Sequence, residues 1–141
     1  MKRAILWIAG GIVAGVALWW LAPAYFAGRE DPRSIERLSR EAAALNRSLP
    51  AMLDGQTELM VTEAAHAMFV YKYRLLNVAV DKIDGAKFIA GAKPQLVQSA
   101  CNRPETRNDF LTKGVTMRFS YFDKDKRHIA TIDVSPADCG L

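Results

Sequence analysis

Side chains that could carry chemistry are few and scattered in this chain of 141 residues. His66 lies three residues after Glu63, and a histidine beside a carboxylate is a common general-base arrangement, but no nucleophile in a recognisable motif accompanies the pair. Ser99 lacks the G-x-S-x-G surroundings of a hydrolase nucleophile, and His128 follows a run of charged residues. The sequence therefore predicts no catalytic residue, and we interpret the chain as not an enzyme.

Acidic side chains in the segment PETRNDFLTKG are a second candidate for acid–base chemistry. Glu105 and Asp109 are four residues apart, so they would share one face of a helix. Asp109 is also four residues before Lys113, and an ion pair along the helix is the ordinary use of that spacing. The sequence has no phosphate-binding loop, no dinucleotide fingerprint and no clustered metal ligands. It predicts neither a cofactor nor a metal ion.

The two cysteines, Cys101 and Cys139, bear on the compartment in which the chain folds. A pair of cysteines in an exported chain usually forms a disulfide. Such a bond would tie the C-terminal segment SPADCGL to the helical middle of the chain, and the long loop that it closes would stabilise a small domain. The sequence therefore predicts a Cys101–Cys139 disulfide.

A long apolar segment begins the chain. Lys2 and Arg3 precede it, and no charged residue occurs from Ala4 to Gly28. This length suits a helix that crosses a bilayer, and the aromatic residues at its far end suit a membrane–water interface. We predict a transmembrane signal-anchor over residues 1–28, with the N-terminus in the bacterial cytoplasm and the rest of the chain in the periplasm. The alternative is a secretory signal that is cleaved after Ala24, within an A-x-A pattern.

Small residues in that segment offer a contact between two copies of the chain. Gly11 and Gly15 form a GxxxG pair, and residues at that spacing allow two helices to approach closely in lipid. The pattern predicts a weak homodimer through this helix face. The alternative is a lone helix that happens to contain small residues.

The remainder is predicted to contain an amphipathic juxtamembrane helix over residues 29–50 and a periplasmic domain over residues 51–141. Asp31 and Pro32 suit the start of the helix, and apolar residues recur at helical spacing as far as Leu49. The apolar stripe of this helix would pack on the domain, or it would meet lipid or a partner helix.

Alternation of apolar and polar residues predicts four strands in the periplasmic domain. Two helical segments separate the second strand from the third: one begins at Asp84 and is interrupted at Pro94, and the other extends from Pro104 to Gly114. The order α-ββ-αα-ββ predicts an α+β fold, in which a four-stranded antiparallel sheet packs against helices. The four strands are QTELMVTEAA, MFVYKYRLLNV, VTMRFSYF and HIATIDV.

Two sets of strand residues are candidates for binding. The net charge of +4 is small and the basic residues are mixed with acidic ones, so nucleic acid is not a predicted partner. Aromatic residues on one face would line a pocket between sheet and helices, or fill the core: Tyr71, Tyr73, Phe119 and Tyr121. Cations on the other face would bind an acidic partner, or be solvated: Lys72, Arg74 and Arg118.

Four segments resemble a family of small, uncharacterised bacterial proteins that have an N-terminal membrane segment. They are YKYRLLN, KPQLVQSAC, PETRNDFLTKGVTMRFSYFDK and IDVSPADCG. The resemblance extends over residues 45–141, and it implies a bacterial origin, export and pairing of Cys101 with Cys139. No activity is established for that family, so the resemblance implies no catalytic residues.

The predicted function is that of a single-pass inner-membrane protein whose periplasmic domain binds another envelope protein, as an accessory to an envelope assembly such as a secretion apparatus. The alternative is a periplasmic domain, released by cleavage of a signal peptide, that binds a small apolar ligand or an envelope polymer. A cavity beneath the aromatic rings would favour this alternative, whereas dense packing there would exclude it.

Overall fold

The structure, a computed structural model, describes residues 30–141. The chain divides into two units after Asp31, and residues 32–141 form the folded unit considered below. Three 3₁₀ turns, at Val80–Lys82, Leu111–Lys113 and Pro136–Cys139, accompany its helices and strands. In chain order these are α1 (Ile35–Asn46), β1 (Ala51–Met52), β2 (Thr57–Ala65), β3 (Met68–Leu75), α2 (Gly85–Asn102), α3 (Pro104–Asp109), β4 (Thr116–Phe122) and β5 (His128–Val134).

The strands form one mixed sheet in the order β1-β2-β3-β4-β5. Neighbouring strands are antiparallel except β3 and β4, which are parallel. A parallel pair needs a long crossover, and α2 and α3 supply it between these two strands. The predicted four-stranded antiparallel sheet is therefore wrong, because the sheet has a fifth strand and its central pairing is parallel. The fifth strand, β1, has two residues, too few for any alternating pattern to indicate it.

The helix boundaries agree only in part with the sequence pattern. Ser34, rather than Asp31, is the N-cap of α1, and its hydroxyl oxygen accepts a hydrogen bond from the backbone N–H of Arg37. Asp84 caps α2 as predicted, because its carboxylate accepts bonds from two backbone N–H groups of the first turn. Pro94 does not interrupt α2, which continues through it for a total of 18 residues.

Helices α1 and α2 cover different parts of the same sheet face. Leu38 and Ala42 of α1 pack with Phe69 of β3 and with Val115 in a buried cluster. Ala100 of α2 belongs to a second cluster, whose other buried members are Leu111, Met117, Phe119 and Val134. Since α1 covers the Phe69 end of β3, the other end of this face lies between α2 and the β1–β2 hairpin.

Asn46, the last residue of α1, caps the free edge of β2. Its side-chain amide donates to the backbone carbonyl of Thr62 at 2.9 Å and accepts from the backbone N–H of Thr62 at 2.8 Å. The buried Thr62 hydroxyl donates to the same Asn46 oxygen at 2.9 Å. One side chain therefore makes the hydrogen bonds that a neighbouring strand would make, and it protects an edge that is otherwise open to pairing.

No helix within residues 30–141 has the length and apolar character needed to cross a membrane. The segment predicted to do so, residues 1–28, and its Gly11–Gly15 pair lie outside the described residues. The predicted fold is corrected for the described unit, which is a five-stranded mixed sheet with its helices and contains no such helix.

Candidate binding cleft

Four aromatic side chains of β3 and β4 form a stacked row on the helix-covered face of the sheet. The parallel register places Tyr71 beside Phe119 and Tyr73 beside Tyr121. The ring centroids of these two pairs are 5.5 and 5.3 Å apart, with interplanar angles of 10° and 22°. Each ring also contacts at least one further aromatic ring. Stacked rings stabilise one another beyond the area that they bury, so the row is a firm surface.

A cleft with a volume of about 280 Å³ lies above this row. All four residues predicted to line a pocket, Tyr71, Tyr73, Phe119 and Tyr121, lie in its floor. One wall comes from the C-terminal half of α2 and the start of α3, and the opposite wall from the β1–β2 hairpin. The residues that complete the lining are Leu53, Thr57, Leu96, Ser99, Ala100, Arg103, Thr106 and Met117.

The tyrosine hydroxyl groups of the cleft are neutral and unpaired. Within residues 30–141, Tyr71, Tyr73 and Tyr121 make no intramolecular hydrogen bond, and their oxygens are not among the fully buried polar atoms that lack a partner. They are therefore accessible to solvent. Burial raises the pKa of Tyr71 to about 12, and burial also raises the pKa of Tyr73 and of Tyr121. These hydroxyls consequently remain hydrogen-bond donors and acceptors at physiological pH.

Arg103 is the charged residue of the lining, at the junction between α2 and α3. Burial raises the pKa of Tyr73, and the nearby positive charge of Arg103 lowers it in part. Within residues 30–141, the Arg103 guanidinium makes no ion pair, and no carboxylate lines the cleft. The cleft is thus an apolar site with hydroxyl groups and a single positive charge.

The Cys101–Cys139 disulfide holds the α2 wall of the cleft. The bond joins α2 to the C-terminal 3₁₀ turn, where Cys139 packs against the buried cluster of Ala100 and Leu111. Because Cys101 follows Ala100 directly and precedes Arg103 by two residues, the bond fixes the part of α2 that lines the cleft. The structure therefore contains the disulfide that the sequence predicts.

The cations predicted to bind an acidic partner lie on the opposite face of the sheet. Each of these cations forms an ion pair with a carboxylate of the neighbouring strand, so the positive charge of this face is largely offset. Binding of an acidic partner there stays a prediction. The pairs are Lys72 with Glu63 at 2.7 Å, Arg74 with Glu58 at 3.4 Å, and Arg118 with Asp133 at 2.8 Å.

The side chains first considered for catalysis are not brought together. His66 is exposed at the turn between β2 and β3, whereas its candidate partner Glu63 is paired with a lysine. His128 bonds to the Thr131 hydroxyl at 2.8 Å on β5. Ser99 lines the cleft, but no histidine does. No group of three or more metal-ligating His, Cys, Asp or Glu side chains occurs among residues 30–141.

The expected ion pair between Asp109 and Lys113 is not formed in the part of the chain that the structure describes. The helix α3 ends at Asp109, and Lys113 belongs to the following 3₁₀ turn, so the two residues do not share a helical face. The ordinary explanation offered for this spacing is therefore wrong, and Glu105 and Asp109 are not drawn into any site.

Comparison with known proteins identifies the fold. No protein-family model and no curated protein matches the sequence. A protein of Pseudomonas aeruginosa described as secreted is similar in structure, with a TM-score of 0.62 and 15% identity over 74% of this chain and 91% of that one. The type 2 secretion pilotin EpsS of Vibrio vulnificus has a TM-score of 0.59 and 18% identity, over 74% and 90% of the two chains. The type II secretion pilotin AspS of Vibrio cholerae has a TM-score of 0.56 and 17% identity, over 74% and 91%.

The location predicted from the sequence finds no support in the solved structures that share the fold. The solved structures that share the fold are described as a secreted protein and as two secretion pilotins. None is described as an inner-membrane protein, and no helix of residues 30–141 could cross a membrane. The predicted bacterial inner-membrane location, with a single span and a cytoplasmic N-terminus, is not retained.

Proposed function

We propose that this chain is an exported accessory protein, and that it binds an apolar segment of another envelope protein in the aromatic cleft. The observation that carries the proposal is the cleft itself. A domain of this size needs its large aromatic residues to build a core. Three tyrosines are nevertheless partly exposed, and their hydroxyl groups are unpaired. Tyrosines with one apolar and one polar side are typical of protein interfaces.

The size and surroundings of the cleft favour a protein segment as the occupant. Pockets for small molecules usually have volumes of roughly 300–1,000 Å³, so the observed 280 Å³ is at the lower limit. It would hold a few apolar side chains of a longer segment. Leu53 in the cleft wall is 56% exposed and its neighbour Met52 is 50% exposed. Together they extend the apolar surface beyond the cleft, as a docking surface requires.

The fold similarity supports the accessory role. Two of the similar solved structures are pilotins of type II secretion systems. The identity is low, so the shared property is the fold, and the role is transferred as part of our proposal. The disulfide supports an oxidising compartment, because such bonds persist outside the bacterial cytoplasm.

The test is site-specific photo-crosslinking of the full chain in bacterial cells. A photoreactive amino acid replaces Ser99, which lines the cleft, and in a control it replaces the exposed Thr131 of β5. We expect one defined adduct with another envelope protein from position 99 and none from position 131. Equal labelling from both positions, or no adduct from position 99, would contradict the proposal.

A matched pair of variants shows whether the adduct depends on the cleft. Leu53→Asp places a charge in the apolar wall, whereas Ile35→Asp changes a comparably exposed residue of α1 that does not line the cleft. Both residues are solvent-accessible, so neither change should prevent folding. We expect the adduct from position 99 to disappear with Leu53→Asp and to persist with Ile35→Asp.

A small apolar molecule is the second candidate occupant, because the four aromatic rings form the floor of a cleft of about 280 Å³. In that case the purified domain would carry a stoichiometric apolar compound. Mass spectrometry of a solvent extract would detect it, and Leu53→Asp would remove it. Absence of such a compound, together with a protein adduct from position 99, would exclude this candidate.

A further inference from the structure

We infer that the segment bound in the cleft carries an aspartate or glutamate, and that Arg103 binds this side chain. This inference rests on the proposed function, because it specifies the chemistry of the same occupant. It adds a selection rule: an apolar segment with an acidic residue is preferred to one with a neutral or basic residue at the same place.

The charge distribution of the cleft carries the inference. Arg103 is the one charged residue in the lining, and the carboxylates of residues 30–141 lie outside it. The cations of the opposite sheet face differ, since Lys72 and Arg118 are each paired with an acidic residue of the next strand. Arg103 has no such partner within the described part of the chain. Arg103 is itself exposed, so its guanidinium lies at the solvent-accessible rim of the cleft, where an acidic side chain of an occupant can reach it.

The position of Arg103 sets where the acidic group must lie. Arg103 and Tyr73 line the same cleft; burial raises the pKa of Tyr73, and the positive charge of Arg103 offsets part of that rise. Arg103 lies one helical turn after Ser99, and its backbone N–H donates to the Ser99 carbonyl. The polar groups therefore line the α2 side, and the rings form the floor. A bound segment would lay its apolar side chains on the rings and direct its acidic side chain toward α2.

The chemistry of arginine fits this assignment. A guanidinium presents several N–H donors in a planar fork, which can bind both oxygens of one carboxylate. Tyr73 lines the same cleft, and its neutral hydroxyl can donate a hydrogen bond to an occupant. A lysine or arginine of an occupant at the same place would meet a like charge, which opposes binding.

Two fluorescent probes with nearly the same apolar skeleton test the charge preference. They are 8-anilinonaphthalene-1-sulfonate, which is anionic, and N-phenyl-1-naphthylamine, which is neutral. The sulfonate stands in for the carboxylate of the segment. We expect the wild-type chain to bind the anionic probe more tightly, and Arg103→Gln to weaken it about tenfold, as loss of one charge-assisted hydrogen bond would. The neutral probe should bind both chains equally, and Arg47→Gln, an exposed change at the end of α1, should alter neither affinity.

The outcomes separate the two proposals. If neither probe binds, or if Leu53→Asp leaves both affinities unchanged, the cleft is not a binding site and the proposed function fails. If both probes bind equally and Arg103→Gln changes neither, the cleft binds apolar groups but the acidic preference is wrong.

The crosslinked partner gives an independent test with a protein ligand. The segment joined to position 99 should contain an aspartate or glutamate within one helical turn of the crosslinked residue. Arg103→Glu should abolish the adduct, and lysine in place of that acidic residue should restore it. A segment without an acidic residue, or a charge swap that restores nothing, would overturn the inference.

Discussion

Removal of the disulfide is the sharpest test of how this small domain is held together. Cys101 and Cys139 are 38 residues apart in the sequence. The chain-entropy model gives about 4 kcal/mol for a loop of this length, because the bond restricts the unfolded chain. Domains of this size unfold with roughly 5–15 kcal/mol, so the double variant Cys101→Ser, Cys139→Ser should lose a large fraction of its stability. Its Tm should fall by about 15 °C, at roughly 4 °C for each kcal/mol.

Urea denaturation, followed by circular dichroism, measures this loss. With an m-value of about 2 kcal/mol/M, the urea midpoint should fall by about 2 M. The proportional change in the m-value should be smaller than the proportional change in the midpoint. A reductant should lower the midpoint of the wild-type chain to a similar extent and should not affect the double variant. This second comparison separates the contribution of the disulfide to stability from any contribution of the two serine substitutions.

The same variant tests the role of the bond in the cleft. Since Cys101 lies between the lining residues Ala100 and Arg103, its loss should loosen the α2 wall and weaken the binding of both fluorescent probes at low temperature, where the variant is still folded. A midpoint shift corresponding to less than about 1 kcal/mol would refute the entropic argument. Unchanged probe affinity would refute the claim that the bond fixes this wall.

Three further substitutions test other parts of the structure. Asn46→Ala should destabilise the domain by about 2 kcal/mol, because it leaves backbone and hydroxyl groups of Thr62 unpaired, whereas Ser48→Ala, which loses one exposed bond, should change the urea midpoint little. Gly114→Ala should cost about 1 kcal/mol in the same assay, because residue 114 has a φ of 82°. Burial raises the pKa of Asp123, but hydrogen bonds from the backbone of Arg127, Val80 and Asp125 outweigh it and lower that pKa below 3.8. Asp123 therefore contributes stability above the pKa of the unfolded chain, and this contribution is lost as the pH falls through the lower, folded pKa. Asp123→Asn should remove it, so the difference in stability between the wild-type chain and the variant should shrink as the pH is lowered below about 4, and a constant difference would contradict the assignment.

Local patterns in the sequence indicated many elements but not their arrangement. Strand alternation depends on which side chains are buried, so β2 to β5 lie where the alternation predicts them. The direction of β4 depends instead on how α2 and α3 cross the sheet, and local sequence carries little information about that. The sequence also predicts a break at Pro94, whereas α2 continues through it, because packing of the helix on the sheet overrides the intrinsic preference.

The floor of the cleft was predictable, and its walls were not. Tyr71 and Tyr73 recur at strand spacing, which places them on one face. Arg103 and Leu53 lie at the ends of elements, outside any periodic pattern, and they approach the rings only through the tertiary fold. The acidic partners of Lys72 and Arg118 were missed for a related reason, since each comes from another strand.

The parallel pairing of β3 with β4 determines when the stacked aromatic row can form during synthesis and folding of the chain. The two halves of the stacked row are separated in the chain by both crossover helices, so a chain that ends before Phe119 has only half of the row. The complete row therefore forms only after β4 has been produced and has paired with β3. A partner that bound the complete row would therefore distinguish chains in which β3 and β4 have paired from chains in which they have not.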